Sequence, residues 1–267
     1  MSTSIRLLVF RALWGMSGPI VEQIERIAAA GYDGVEGAPP DESVMSRADF
    51  LALLEQHDLK LILGAQVGAR DELEPVLTRL AEYRPLKIDL HSGRDSFTRD
   101  EGRAYFAEAL RLEETIGIPI GHETHRGRMF FTPWDTVFYL REFEELKIVA
   151  DYSHWVNVCE RVPDDQAAAL DLANRRAIHI HGRVGYEQGP QAPDPSAPEY
   201  AAHLAWHERQ WQQIRQYHII AGASVLTFTP EYGPPAYLHT LPHTNVPVAD
   251  LWQVCLWGAQ RARQQLS

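Results

Sequence analysis

The chain alternates between two kinds of segment eight times, and few folds accept that pattern. Short apolar runs occur at about 5–10, 32–36, 59–64, 86–91, 119–123, 147–152, 177–182 and 225–230. Between and after them, apolar residues recur at helical spacing in VEQIERIAAAG (21–31), SRADFLALLEQHD (46–58), DELEPVLTRLAEY (71–83), RDEGRAYFAEALRLEETIG (99–117), WDTVFYLREFEEL (134–146), DDQAAALDLANR (164–175), a long piece near 199–219, and VADLWQVCLWGAQRARQQ (248–265). Strands that alternate with helices specify parallel strands joined by helical crossovers. Ser46 is a suitable N-cap and Gly31 a suitable helix-ending residue. An open doubly wound sheet usually has a GxGxxG first turn, whereas here the first turn reads ALWGMSGP. Eight units in 267 residues, with no phosphate loop and no linker, predict an α/β fold: a single (β/α)8 barrel, one domain over 1–267.

In such a barrel the active site lies at the C-terminal ends of the strands. Four runs end there in ligand-type side chains: PIGHETH (119–125) in Glu123, KIVADYSHW (147–155) in Asp151, AIHIHGR (177–183) in His181, and LTFTPEYG (226–233) in Glu231. A single strand-end carboxylate is ordinarily a helix cap or an ion-pair partner. Four such side chains on strands five to eight point instead to one divalent cation. Mixed carboxylate and imidazole ligation suits Mn²⁺, Mg²⁺, Co²⁺ or Zn²⁺ without choosing among them. Residues two apart on a strand share a face, so His179 points inward with His181, one layer further from the rim. By the same rule His125 accompanies Glu123, and His91 accompanies Asp89.

Composition narrows the functional classes. A formal net charge of −11 argues against a nucleic-acid partner, which needs clustered Lys and Arg. Cys159 and Cys255 are too few for a disulfide framework and form no CxxC pair, which fits a reducing cytoplasm. No stretch approaches the roughly 18 apolar residues of a membrane span, and the N-terminus lacks a signal-peptide pattern. The expectation is a soluble cytoplasmic protein with no membrane partner. After strand seven, GRVGYEQGPQAPDPSAPEY (182–200) is long and rich in Pro and Gly; such connections are often binding loops, and a substrate loop is expected here over a loose surface excursion.

The ordered motifs resemble those of the xylose-isomerase-like TIM-barrel superfamily of sugar isomerases and epimerases, especially relatives of D-tagatose 3-epimerase and hydroxypyruvate isomerase. GYDGVE (31–36) resembles the second-strand motif, HETHRGR (122–128) the fifth-strand glutamate, DYSHW (151–155) the Asp-x-x-His element, HIHGR (179–183) the seventh-strand histidine, and TPEYG (229–233) the last glutamate. The resemblance covers nearly the whole chain and is specific for superfamily, not for substrate. It implies that Glu123, Asp151, His181 and Glu231 bind the cation and that His154 contacts a substrate oxygen. It also implies that Glu123 and Glu231 act as an acid/base pair, moving a proton next to a carbonyl through an enediolate. The implied partner is a small-molecule carbohydrate, and dimers and tetramers among the relatives make a homo-oligomer an open expectation.

The sequence departs from the pattern after His181. The epimerase relatives carry an acidic residue and a substrate-gripping arginine a few residues on, whereas here Gly182 and Arg183 follow at once. Arg183 is therefore a substrate-binding candidate, as are His91, Glu36 and Trp14 at other strand ends. Tyr237, His239 and His243 either line the pocket or brace their loop. Trp206 and Trp211 suit packing or an oligomer surface, and Arg126 and Arg128 suit pairing with acidic neighbours. The leading expectation is a metal-dependent isomerase or epimerase. The alternative is a metal-dependent lyase or hydrolase acting on an oxidised (keto) glycoside. A DNA-repair endonuclease of the same superfamily is disfavoured by charge, and a non-catalytic barrel by the intact ligand set.

Overall fold

The computed structural model describes residues 5–267. Its strands are β1 (Arg6–Ala12), β2 (Gly34–Gly37), β3 (Lys60–Val67), β4 (Lys87–Ser92), β5 (Ile120–Glu123), β6 (Lys147–Ala150), β7 (Ala177–His181) and β8 (Val225–Thr229). They close in chain order into a parallel barrel, with β8 returning to β1 through the pairs Leu7↔Leu226 and Val9↔Phe228. The helices are α1 (Ile20–Ala29), α2 (Arg47–Gln56), α3 (Leu73–Ala81), α4 (Arg99–Ile116), α5 (Pro133–Glu142), α6 (Tyr152–Val158), α7 (Ala167–Arg176), α8 (Ala201–Ile220) and α9 (Leu251–Leu266). The chain is a (β/α)8 barrel. Among the described residues, no helix is long and apolar enough to cross a membrane.

Local chemistry sets the helix ends. Ser46 caps α2 by accepting from the Asp49 N–H at 3.1 Å. Thr98 and Glu101 form a reciprocal capping box at α4. Gly31 follows α1 at φ 77°, a conformation that suits glycine.

Alternation along each strand separates two environments. Outward residues such as Val9, Val35, Leu63, Ile88, Leu90, Ile120, Ile148, Ile180 and Leu226 are buried in the main core against the helices. Inside the barrel, Leu8, Phe10 and Ile62 form a separate apolar plug. A Cβ on Gly34 would fall 2.4 Å from the Phe10 ring, so that glycine makes room for the plug. Above the plug the interior turns polar, with Glu36, Asp89, His179, Thr227 and Thr229 all buried.

One strand end differs from expectation. Strand six stops at Ala150, not 152, because Asp151 leaves the sheet to cap α6, accepting from the Ser153 N–H at 3.1 Å. The 182–200 connection is irregular but not loose. Its first residues are buried, the Val184 N–H donates to the Tyr232 hydroxyl at 3.1 Å, and Gln191 exchanges two hydrogen bonds with the Gly233 backbone. It braces the loop that carries Glu231.

Candidate active site

The interior faces of β4, β5, β7 and the residues just beyond β6 and β8 deliver their polar side chains to one point. Ligand atoms of Glu123, Asp151, His181 and Glu231 lie within 4.8 Å of one another. His181 Nδ1 is 3.5 Å from Glu123 Oε1 and 3.3 Å from Glu231 Oε2. Its other nitrogen, Nε2, stands 3.1 Å from Glu36 Oε1. An imidazole that gives one nitrogen to a carboxylate and turns the other toward a carboxylate cluster has the arrangement of a metal-ligating histidine with its supporting acid.

Glu36 therefore supports His181 from the base of the site, where it also borders the cavity. It also meets His179 Nε2 at 3.2 Å, and His179 is tied in turn to Thr227 and Thr229. Burial opposes the charge on Glu36, but His179 and His181 hold its carboxyl well below the usual range. Lys87, further down the barrel, donates to Thr227 Oγ1 at 2.9 Å and to the Ile178 carbonyl at 2.6 Å. Neither Lys87 nor the two threonines stands out in the sequence.

Asp151 is held from two sides. The Arg183 guanidinium pairs with its Oδ2, and the Ser153 hydroxyl donates to its Oδ1. Arg183 further reaches Ser153 Oγ at 3.0 Å, His154 Nε2 at 2.7 Å and Glu231 Oε2 at 3.5 Å. Burial pushes the Asp151 carboxyl up to about 6; Arg183 works against that shift, and Glu123 and Glu231 add to it. Arg183 is thus a buried brace for two candidate ligands, and it also borders the cavity. Ser153 is a partner that sequence reasoning missed, and only its place at the second position after Asp151 hints at it.

Glu123 pairs with His91 Nε2, while His125 stands beside His91 with ring centroids 4.6 Å apart. Burial disfavours the His91 imidazolium, yet Glu123 holds its pKa up to about 9. His125 goes the other way, pushed down to about 4 by burial. His154 packs on His125 at 3.9 Å and is fully buried, beneath the cavity wall rather than in it. Trp14 lines the mouth and meets Tyr237 edge-on at 4.9 Å. Tyr237 also lies 5.0 Å from the guanidinium carbons of Arg126 and Arg183. Arg126 and Arg128 bond to Asn157, Gln66 and the Gly93 carbonyl, not to acidic neighbours, and Trp206 and Trp211 are buried packing residues.

The donor set fits a divalent cation. Glu123 Oε1 and His181 Nδ1 are buried without a hydrogen-bond partner and face each other at 3.5 Å. Such groups are costly unless something satisfies them. Carboxylate oxygens and an imidazole nitrogen are the ligands that Mg²⁺, Mn²⁺, Co²⁺ and Zn²⁺ accept.

No protein-family model and no curated protein matches the sequence. Among solved structures the chain resembles D-allulose 3-epimerase from Methylomonas sp., with TM-score 0.63 and 16% identity over 100% of this chain and 99% of that one. Its fold is that of the xylose-isomerase-like barrels. A probable 3-DHS dehydratase from Bacillus anthracis matches this xylose-isomerase-like barrel with TM-score 0.63 and 13% identity, covering 96% and 98% of the two chains. An L-ribulose 3-epimerase matches it at 0.59 and 16%, covering 96% and 92%. At these identities the likeness is one of fold, and the chemistry rests on the side chains described above.

Proposed function

We propose that this protein is a divalent-metal-dependent sugar isomerase or epimerase that transfers a proton next to a carbonyl. One observation carries the reading: two carboxylates, Glu123 and Glu231, approach the same histidine nitrogen at 3.5 and 3.3 Å, with Asp151 completing the set. Glu123, Asp151, His181 and Glu231 would hold the cation, which supplies positive charge beside a carbonyl oxygen and so acidifies the neighbouring C–H. Glu123 and Glu231 project from β5 and from just past β8, so a sugar between them meets a carboxylate on either side. One removes the proton to give an enediolate, and the other returns a proton to the opposite face. His91, beside Glu123, is a donor for a substrate oxygen. Arg183 and Ser153 fix Asp151, and Glu36 fixes His181. The probable dehydratase among the structural neighbours and the size of the cavity favour a second reading, elimination from an oxidised (keto) glycoside by the same carboxylates.

The test pairs metal analysis of the purified protein with exchange of substrate C–H for deuterium across a panel of ketoses. About one divalent ion per chain and exchange that stops on chelation are expected. Asp151→Asn and Glu231→Gln should each lower exchange by about 100-fold or more while the protein stays folded. Full activity in either variant rules out this site. Metal without exchange on any sugar, together with release of an aglycone from a keto-glycoside, moves the assignment to the lyase.

A further inference from the structure

The acid/base residues occupy only one end of a much larger space. The cavity at the barrel mouth holds about 760 Å³, in the upper part of the range of roughly 300–1,000 Å³ that encloses drug-sized ligands. Asp89, His91, Glu123, Arg183 and Glu231 line its polar end. Over the rims of β1, β2 and β3 its wall becomes mainly apolar, built by Ala12, Leu13, Trp14, Ala38, Pro39 and Ala65, with Gln66 and Arg79 as polar side chains on that side.

The volume there is a consequence of small residues at consecutive strand ends. A Cβ added to Gly64 would meet nothing nearer than Asp89 Oδ2 at 4.0 Å, so at this position β3 leaves the cavity open. A free ketose carries hydroxyls all round. Pressed against this wall, most of those hydroxyls would give up water and find only Gln66 and Arg79 as partners; confined to the polar end, the sugar would leave the lobe unfilled. Trp14, 38% exposed and set edge-on to Tyr237, presents an indole to the space, which suits contact with another ring.

We propose that this lobe is a subsite for an aromatic substituent, so that the molecule acted on is a carbohydrate joined to an aromatic group, as an aryl glycoside or its keto form, rather than a free ketose. The inference rests on the sugar reading for the polar end and adds the second half of the substrate. Continuity of the lobe with Asp89 and Glu123 in one cavity means that a single molecule can span both.

Calorimetric titration of the metal-loaded protein with 4-nitrophenyl and methyl glycosides of glucose, galactose and xylose tests it. At least one aryl glycoside should bind ten-fold or more tightly than its methyl counterpart. Ala38→Phe, on the loop after β2, and independently Gly64→Val, on β3, should bring that ratio close to one, with melting temperature and metal content showing that each variant is folded. Equal affinity within every pair overturns the proposal, as does a preference that survives both substitutions. So does 4-nitrophenol alone binding as tightly as its glycosides. The proton-transfer reading has a separate readout. An aryl preference without deuterium exchange removes that reading and leaves the lobe, whereas exchange on free ketoses without an aryl preference does the reverse.

Discussion

At the scale of single residues, the site depends on groups that act through the candidate ligands. Glu36 is the clearest, because it takes the nitrogen of His181 that faces away from the carboxylate cluster. Glu36→Gln keeps the shape and removes the charge that orients and enriches the imidazole. Metal affinity should fall about 10- to 100-fold, measured by competition with a chelator of known affinity, while the far-ultraviolet circular dichroism stays that of the parent. Unchanged affinity would mean that His181 needs no acid behind it. The sequence made Glu123, Asp151, His181 and Glu231 legible because each ends an apolar run, and strand ends in a barrel share a rim. It left the braces hidden: Ser153, Lys87 and Thr227 matter through contacts across the barrel, at sequence separations of 30 for Ser153–Arg183 and 140 for Lys87–Thr227. The sequence offers Arg183 as a substrate-binding candidate; it borders the cavity, and its guanidinium also pairs with Asp151 and Glu231.

At the scale of elements, periodicity located strands and helices, whereas side-chain competition for the backbone decided their ends. Asp151 could end a strand or cap a helix, and an apolar pattern does not distinguish the two; α6 exists because its carboxylate accepts the Ser153 N–H. Packing between elements is likewise invisible to propensity. Gly102 sits inside α4, where alanine would normally be favoured by about 1 kcal/mol. Here a Cβ would fall 2.0 Å from the Tyr139 hydroxyl of α5. Gly102→Ala should therefore destabilise the protein by roughly 1–3 kcal/mol in urea unfolding, the cost of overpacking, and a stabilised variant would show that α4 and α5 slide apart freely. The loop between β7 and α8 offers a pH prediction. His207 on α8 is fully buried; its Nδ1–H donates to the His203 carbonyl at 2.9 Å and its Nε2 accepts from the Gly185 N–H at 3.4 Å. Both nitrogens are used only by the neutral ring, and burial holds the pKa down to about 4 from 6.5. Below pH 6.5 the unfolded chain binds a proton that the folded chain refuses, so stability falls as pH drops from 6.5 to about 4, by about 3 kcal/mol from this residue. His207→Gln should remove that share of the acid sensitivity, read from urea midpoints at the two pH values.

At the scale of the whole molecule, the alternation of eight runs was enough for the fold because closed parallel barrels are the main solution for such a chain without a nucleotide-binding turn. The cavity was not legible, since its apolar lobe arises from side chains that are small or missing, and a gap leaves no periodic mark. The charge distribution ties fold and site together. A chain of formal charge −11 gathers Glu36, Asp89, Glu123, Asp151 and Glu231 at the head of one barrel, four of them almost fully buried. Desolvation and mutual repulsion oppose that assembly: burial and the neighbouring Glu123 push the Asp89 carboxyl well above its usual range. A divalent cation that binds the folded chain and not the unfolded one offsets these costs by about 2.7 kcal/mol at 100 times its dissociation constant. For a domain of this size that corresponds to a rise of about 5–10 °C in melting temperature. Thermal melts in Mn²⁺ and in chelator, at matched ionic strength, should show that rise, and the Asp151→Asn/Glu231→Gln double variant should lack it. The double variant should also melt below the parent in chelator, because it leaves the buried Arg183 guanidinium without the two carboxylates it pairs with. If instead Mn²⁺ stabilises parent and double variant equally, the ion is acting on the acidic surface at large, and the convergence of four ligands at the barrel head has some other purpose.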